Sequence, residues 1–190
     1  YEVSGAAHLP MSVVYRFLKG KFSAAPATLL RLEGLKASVD MRMRKLRKTL
    51  SPFGGQVVLE KEDSQMVWTE VRDVKAYSHV LDKPLWRVST APSVGHQLVA
   101  ALRLQAGIDA FYDWQGGLIW MQMEAANDGE LIRHYIKQAG GHATLVRAGR
   151  FGPGANPFFQ PLSAGEKLLS QRIKAQIDLQ SLFNPLRMGF

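Results

Sequence analysis

Leu85-Trp86-Arg87-Val88-Ser89-Thr90, Ile108-Asp109-Ala110-Phe111-Tyr112-Asp113-Trp114, Leu118-Ile119-Trp120-Met121-Gln122-Met123 and His142-Ala143-Thr144-Leu145-Val146-Arg147 are four short segments rich in aromatic and β-favouring residues. Each reads as a strand. Between the first two, Pro92 opens a helical pattern carrying Val94, Leu98 and Leu102, which ends near Gly107. Gln115-Gly116-Gly117 joins the second and third as a hairpin. After the third, Asn127 with Glu130 makes a capping box for a helix whose inner face is Leu131, Ile132, Tyr135, Ile136 and Ala139. Gly140-Gly141 stops that helix. Residues 85–147 therefore read β-α-β-β-α-β, the ferredoxin-like order. The predicted fold class is α+β: an antiparallel sheet with helices packed on one face and the other face free to cover something.

Outward from this unit, residues 27–74 predict a first strand-helix unit that extends the sheet. Ala27–Glu33 reads as a strand stopped by Gly34, and Leu35–Leu50 as a helix ended by Ser51-Pro52-Phe53-Gly54-Gly55. Gln56–Glu60 reads as a short buried strand, and Asp63 as the cap of a helix with Met66, Val67, Val71 and Val74 on one side. Gly149–Pro161 is a glycine- and proline-rich loop ordered by Phe151, Phe158 and Phe159. Residues 163–190 predict a C-terminal helix and docking tail. Ser163 and Glu166 make its capping box, and Leu169, Ile173 and Ile177 line one side. Leu182, Phe183 and Met188 are too apolar for a solvated end, and Asn184-Pro185 is a turn signal. The reading is of one domain over 1–190. Its opening at Tyr1-Glu2-Val3-Ser4 and its apolar tail suggest a piece of a longer polypeptide, with the tail returning to another part.

Composition narrows the chemistry. At 46% hydrophobic and 21% charged, the 190 residues suit a folded core. No apolar run approaches the roughly 18 residues of a membrane span, and no signal peptide is visible. The absence of cysteine excludes disulfides, thiolate metal sites and a cysteine nucleophile within this sequence and is compatible with the cytoplasm. The net charge of +8 is densest at Arg42, Arg44, Lys45, Arg47 and Lys48. On a helix these spread over most of the circumference, so a solvated surface is favoured over an acidic partner or nucleic acid.

The five histidines stand at no metal-ligand spacing, and no metal site is expected. Gly149-Arg150-Phe151-Gly152-Pro153-Gly154 lacks the strand-to-helix context of a phosphate loop, and no dinucleotide fingerprint or serine elbow is present. Arg87 lies among sheet residues and needs a partner. The simpler assignment is Asp109 or Asp113, and the other is a substrate carboxylate, which matches the guanidinium fork. Trp114 and Trp120 read as packing residues, with a ligand pocket as the alternative. His142 opens a strand directly after Gly140-Gly141, where active-site loops often end.

The ordered set Trp86-Arg87, Asp113-Trp114-Gly116-Gly117, Gly140-Gly141-His142-Ala143-Thr144 and Asn184-Pro185 resembles the C-terminal half of the E-subunit family of bacterial glycolate oxidase. The tail IDLQSLFNPLRM, 177–188, is similar to the closing segment of FAD-linked oxidases of the vanillyl-alcohol oxidase type. The resemblance covers most of the chain and is strongest over 85–190. It implies a cap or substrate domain of a flavoprotein, with nearly all FAD contacts in an N-terminal FAD-binding domain of the same polypeptide and none expected in this piece. It further implies a multi-subunit complex with a related flavoprotein subunit and an iron–sulfur subunit. That complex oxidises glycolate, a small 2-hydroxy acid, to glyoxylate and passes electrons onward from the cytoplasm, with peripheral association at the inner membrane through the complex. On the flavin-facing side the resemblance points to Arg87 and His142 as catalytic candidates, Trp114 in the substrate pocket and Asn184 toward the cofactor domain. Two departures stand out: Leu186 replaces a usual glycine, and there is no Gly-Glu-His-Gly segment. The second leaves a structural or electron-transfer role open beside substrate oxidation. Two rival readings are a basic ferredoxin-like binding module for RNA or an acidic protein, and a non-catalytic subunit-interaction domain.

Overall fold

A computed structural model describes residues 1–22, 25–124, 128–152, 154 and 157–185. In chain order its elements are β1 (Gly5–Leu9), α1 (Met11–Val14), β2 (Ala27–Arg31), α2 (Lys36–Leu50), α3 (Lys61–Arg72), β3 (Leu85–Ser89), α4 (Gly95–Arg103), β4 (Ile108–Asp113), β5 (Leu118–Met123), α5 (Gly129–Ala139), β6 (His142–Arg147) and α6 (Ala164–Ile177). The six strands form one sheet in the order β2-β1-β4-β5-β3-β6, antiparallel throughout. Its last four strands place β3 and β5 centrally, as the β-α-β-β-α-β reading requires. The fold is α+β, as expected.

Alternation along the strands sorts the sheet into two faces. Trp86 and Val88, Ile108 and Ala110, Ile119, Met121 and Met123, and Ala143 and Leu145 point to α4 and α5. There they meet Leu98, Val99, Leu102, Ile132 and Ile136 in one continuous core. Each fully buried aliphatic side chain of this kind stabilises the fold by about 1.5–3 kcal/mol relative to exposure. Close approach fixes the junctions. Gly141, at φ +128°, lies so near the Ser89 carbonyl that a Cβ would occupy the same space. Gly95, at the start of α4, similarly abuts the Gly116 carbonyl of the β4–β5 turn. Asp128, rather than Asn127, caps α5, its side chain accepting from the Leu131 amide at 3.0 Å. Asn127 itself lies outside the described residues.

The opposite face is covered only in part, a refinement of the expectation that it stays free. An antiparallel pair, β1 and β2, extends the sheet beside β4. Chain returning through α1, Phe17, Leu18, α3 and Tyr77 then buries Phe111 and Leu85 in a second core. Phe17 meets Phe111 edge-on and Tyr77 stacks on it. Arg16 seals this layer, pairing with the buried Asp109 at 2.9 Å while Ser12 Oγ donates to the same carboxylate at 2.6 Å. Arg147 fastens the 77–84 segment by donating to the carbonyls of Val80 at 2.7 Å and Tyr77 at 3.1 Å.

Three local expectations fail. Gln56–Glu60 is not a strand: the segment runs back over the end of α2, with Gln56 Nε2 donating to the Arg47 carbonyl at 2.9 Å. A short apolar run sets burial tendency but not ladder pairing, and Val57 is in fact exposed. α3 begins before Asp63, which sits in its first turn, and Glu60 at the N-cap makes no side-chain cap bond. The 149–161 loop is ordered less by its phenylalanines, all exposed, than by backbone contacts along β6. The Leu145 amide donates to the Phe158 carbonyl at 2.7 Å, and Arg133 from α5 donates to the Pro157 carbonyl.

Candidate functional site: the open half of the sheet

Beyond the second core the same sheet face stays uncovered, and register places its side chains in rows. One row runs Phe111, Trp120, Arg87, Thr144 across β4, β5, β3 and β6. The next runs Asp113, Leu118, Ser89, His142. Residues paired across strands lie about 4.5–5.5 Å apart and diagonal ones about 7–8 Å, so Arg87 and His142 are diagonal neighbours. Phe111 is the covered end of its row, and the surface opens from Trp120 toward β6.

Arg87 is partly buried in mid-sheet. Neither carboxylate proposed for it is its partner: Asp109 is held by Arg16, and an Asp113 oxygen accepts from the Trp114 amide at 2.7 Å. Among the described residues no side-chain hydrogen bond or ion pair engages the Arg87 guanidinium. It lies instead 5.1 Å from the centre of the Trp114 ring, a cation–π contact. Trp114 is therefore not a core residue. It is 58% exposed at the tip of the β4–β5 turn.

That turn is strained in a specific way. Trp114 and Gln115 both have left-handed backbone, φ 50° and 60°, before Gly116 at φ 97°. Such conformations cost a non-glycine residue about 1–2 kcal/mol. Strain of this kind is commonly kept where a side chain has to be displayed. Asp113 supports the tip through its cap bond, and burial pushes its carboxyl above the usual range.

His142 is exposed at the start of β6, opposite Ser89. Thr90 Oγ1 donates to the Gly140 carbonyl at 2.7 Å and so fixes the turn leading into it. Arg87, Trp114 and His142 thus belong to one face. Thr144, directly opposite Arg87 and not singled out by sequence, joins them, and only its register could have marked it. Asn184 is in a different place. It follows α6, where the chain folds back so that Asp178 accepts from the Leu182 amide at 2.8 Å and the Phe183 amide at 3.0 Å. It has left-handed φ, and Arg187 and Met188 of the tail lie outside the described residues.

α6 has its predicted capping box at Ser163 and Glu166, but no residue of the helix is buried. Leu168, Leu169, Ile173 and Ile177 are all exposed, as are Leu182 and Phe183. Among the described residues no group of three histidine, cysteine, aspartate or glutamate side chains is placed to hold a metal, and no helix is long and apolar enough to cross a membrane. Of the three aromatics that the binding-module reading points to, Phe111 is fully buried and Trp114 is exposed.

The open face offers two indole rings and one cation, whereas the glycine-rich 149–154 segment joins a strand to a loop and forms no nucleotide cradle among the described residues.

No family model matches the chain. Glycolate oxidase subunit GlcE of Escherichia coli (strain K12) is 33% identical over 168 residues, 85% of this chain and 39% of that protein. The chain therefore spans about two-fifths of the length of this curated relative. With its ferredoxin-like antiparallel sheet, the chain is thus similar over most of its length to part of this subunit, consistent with a GlcE-like C-terminal domain of the FAD-linked oxidase family.

Proposed function

We propose that the open half of the sheet is a cap over a flavin held by an FAD-binding domain, and that it receives the carboxylate of a small 2-hydroxy acid such as glycolate on its way to glyoxylate. The observation that carries this is Arg87: a guanidinium in mid-sheet, steadied by Trp114, with no carboxylate of its own among the described residues. A bound carboxylate completes its hydrogen bonding bidentately, and the indole keeps the fork oriented while excluding water from one side. Thr144 adds a hydroxyl beside the fork. In this reading His142, a diagonal neighbour of Arg87 in the register, takes the hydroxyl proton of the substrate. The flavin, when bound, supplies the acceptor for the hydride.

The apolar side of α6 and the segment through Asn184 serve, in this reading, as the contact with the flavin-binding domain, within a complex that includes a related flavoprotein subunit and an iron–sulfur subunit. Membrane association then follows from the complex. Exposure of four large aliphatic residues on one helix supports that role. It equally favours a second reading, in which the domain joins subunits without touching substrate.

Site variants in the assembled oxidase separate the two. Arg87→Gln is expected to raise KM for glycolate about 30- to 100-fold, the worth of a charged bidentate pair, with Arg87→Lys recovering part of it. His142→Gln is expected to lower kcat and flatten the pH profile instead. Unchanged glycolate kinetics in both variants would exclude the cap-site reading and leave the subunit-joining one.

A further inference from the structure

The turn that carries Trp114 is held in different ways on its two sides. Toward the start of α4 it is locked by backbone. The Thr90 amide donates to the Gly117 carbonyl at 3.0 Å, and the Gly117 amide donates to the Trp114 carbonyl at 3.0 Å. The Gly116 carbonyl leaves no room for a Cβ on Gly95, and a Cβ on Gly116 would lie 3.0 Å from the Pro92 carbonyl. Toward the open face Trp114 is held by polar contacts. Its amide donates to Asp113 Oδ1 at 2.7 Å, and its ring lies over the Arg87 guanidinium. The indole is largely in solvent, so apolar packing contributes little to its orientation. Its backbone is left-handed, and so is that of Gln115.

We infer that Asp113 is a positioning residue: by accepting the Trp114 amide, its carboxylate sets the indole against Arg87 and so orients the guanidinium that receives the substrate carboxylate. The cost of a left-handed non-glycine residue and the gain from a hydrogen bond to an ionised acceptor are of the same order. A neutral acceptor bonds roughly half as strongly, so the place of the indole depends on the charge of Asp113. The dependence is reciprocal. Burial raises the Asp113 carboxyl, while the Trp114 amide and then Arg31 of β2 favour its ionised form. Other titratable groups stand around the turn. β1 lies against it and brings His8, whose ring sits beside Tyr112 on the opposite face of the sheet. α4 brings the exposed His96, β3 brings Arg87, and β6 places His142 at the far end of the Asp113 row. Among these groups the Trp114 amide bonds Asp113. Acidification through the raised Asp113 value therefore loosens the indole from Arg87. The consequence for substrate rests on the reading of Arg87 given above; the contact itself does not.

The contact is read in the full chain by nuclear magnetic resonance, as the ring-current shift that Trp114 imposes on the Arg87 Nε–H signal, with Trp114→Leu as the zero. The shift is expected at neutral pH and is expected to fade on acidification, at a higher pH than an ordinary aspartate titrates. Asp113→Asn, isosteric and neutral, is expected to show about half the shift at every pH. Asp113→Ala is expected to show almost none. His96→Gln and His142→Gln are expected to keep the pH dependence, which assigns it to Asp113. Circular dichroism over the same range checks that each protein is folded. A full-sized shift in Asp113→Ala or Asp113→Asn, or a wild-type shift unchanged from neutral to acid pH, would overturn the inference. In the assembled oxidase Asp113→Ala is expected to raise KM for glycolate about tenfold at unchanged kcat, with Asp113→Asn recovering part of the loss. An unchanged KM in Asp113→Ala, where Arg87→Gln raises it, would equally overturn the positioning role. If Arg87→Gln itself leaves KM unchanged, the cap reading fails, and the resonance measurement still decides what Asp113 does.

Discussion

The sheet with α4 and α5, and α6 with its tail, are built from similarly apolar sequence and end in opposite states. Leu98, Leu102, Ile132 and Ile136 are buried against strands. Leu168, Leu169, Ile173 and Ile177 repeat along a helix none of whose residues is buried. Helical spacing of apolar residues thus guarantees an adhesive side, not an intramolecular partner for it. α6 keeps its shape by local means: the Ser163–Glu166 box at one end and Asp178, bonded to Lys174 and the Leu182 and Phe183 amides, at the other.

Truncation should divide the two regions most sharply. Leu102→Ala or Ile136→Ala is expected to cost about 2–5 kcal/mol in denaturant unfolding, because each opens a cavity between helix and sheet. Ser163→Ala is expected to cost α6 about 1 kcal/mol, read as faster amide exchange within that helix while the sheet is unchanged. Ile173→Ser is expected to shift global stability by less than about 0.5 kcal/mol, while weakening association with any partner that covers α6. A large global loss from Ile173→Ser would erase the contrast.

The pH dependence of the tail sharpens the same comparison. Hydrogen bonding by Lys174, and then by the two tail amides, holds the Asp178 carboxyl below its ordinary range. Its contribution is therefore present above the unfolded-state value and is lost as pH falls through the lower folded one. The Leu182 and Phe183 amides should begin to exchange freely in acid, before the core unfolds, and Asp178→Asn should remove that pH dependence. Asp113 has the opposite sign. Burial raises its carboxyl, so its ionised form opposes folding at neutral pH and the penalty is relieved on acidification. Asp113→Asn, which keeps an acceptor for the Trp114 amide, should leave neutral stability equal or slightly higher.

The ferredoxin-like unit was legible because four strands and two helices carried agreeing signals of period, cap and glycine. β1 was not, since Gly5-Ala6-Ala7-His8-Leu9 is too small-sided to alternate visibly. Gln56–Glu60 misled for the converse reason: it is apolar enough for a strand, yet it joins no ladder. At the site, residue type singled out Arg87 and His142, but Thr144 depended on register. The partner of Arg87 depended on Arg16, which lies 71 positions away and occupies Asp109.

The strip of chain beside β6 has a further bearing on how this protein survives at high concentration. β6 is the last strand of the sheet, and an unguarded last strand invites a second molecule to continue the ladder. Phe158 occupies the Leu145 amide and the Gln160 side chain accepts from that of Ala143, so two of the donors a newcomer would use are already engaged. Arg133 holds this guard in place through the carbonyls of Pro157 and Phe159. Shortening the 149–161 loop, or losing Arg133, is expected to uncover this edge to pairing with a second molecule, which gives a segment with no evident chemistry a guarding role at one of the sheet's two edges.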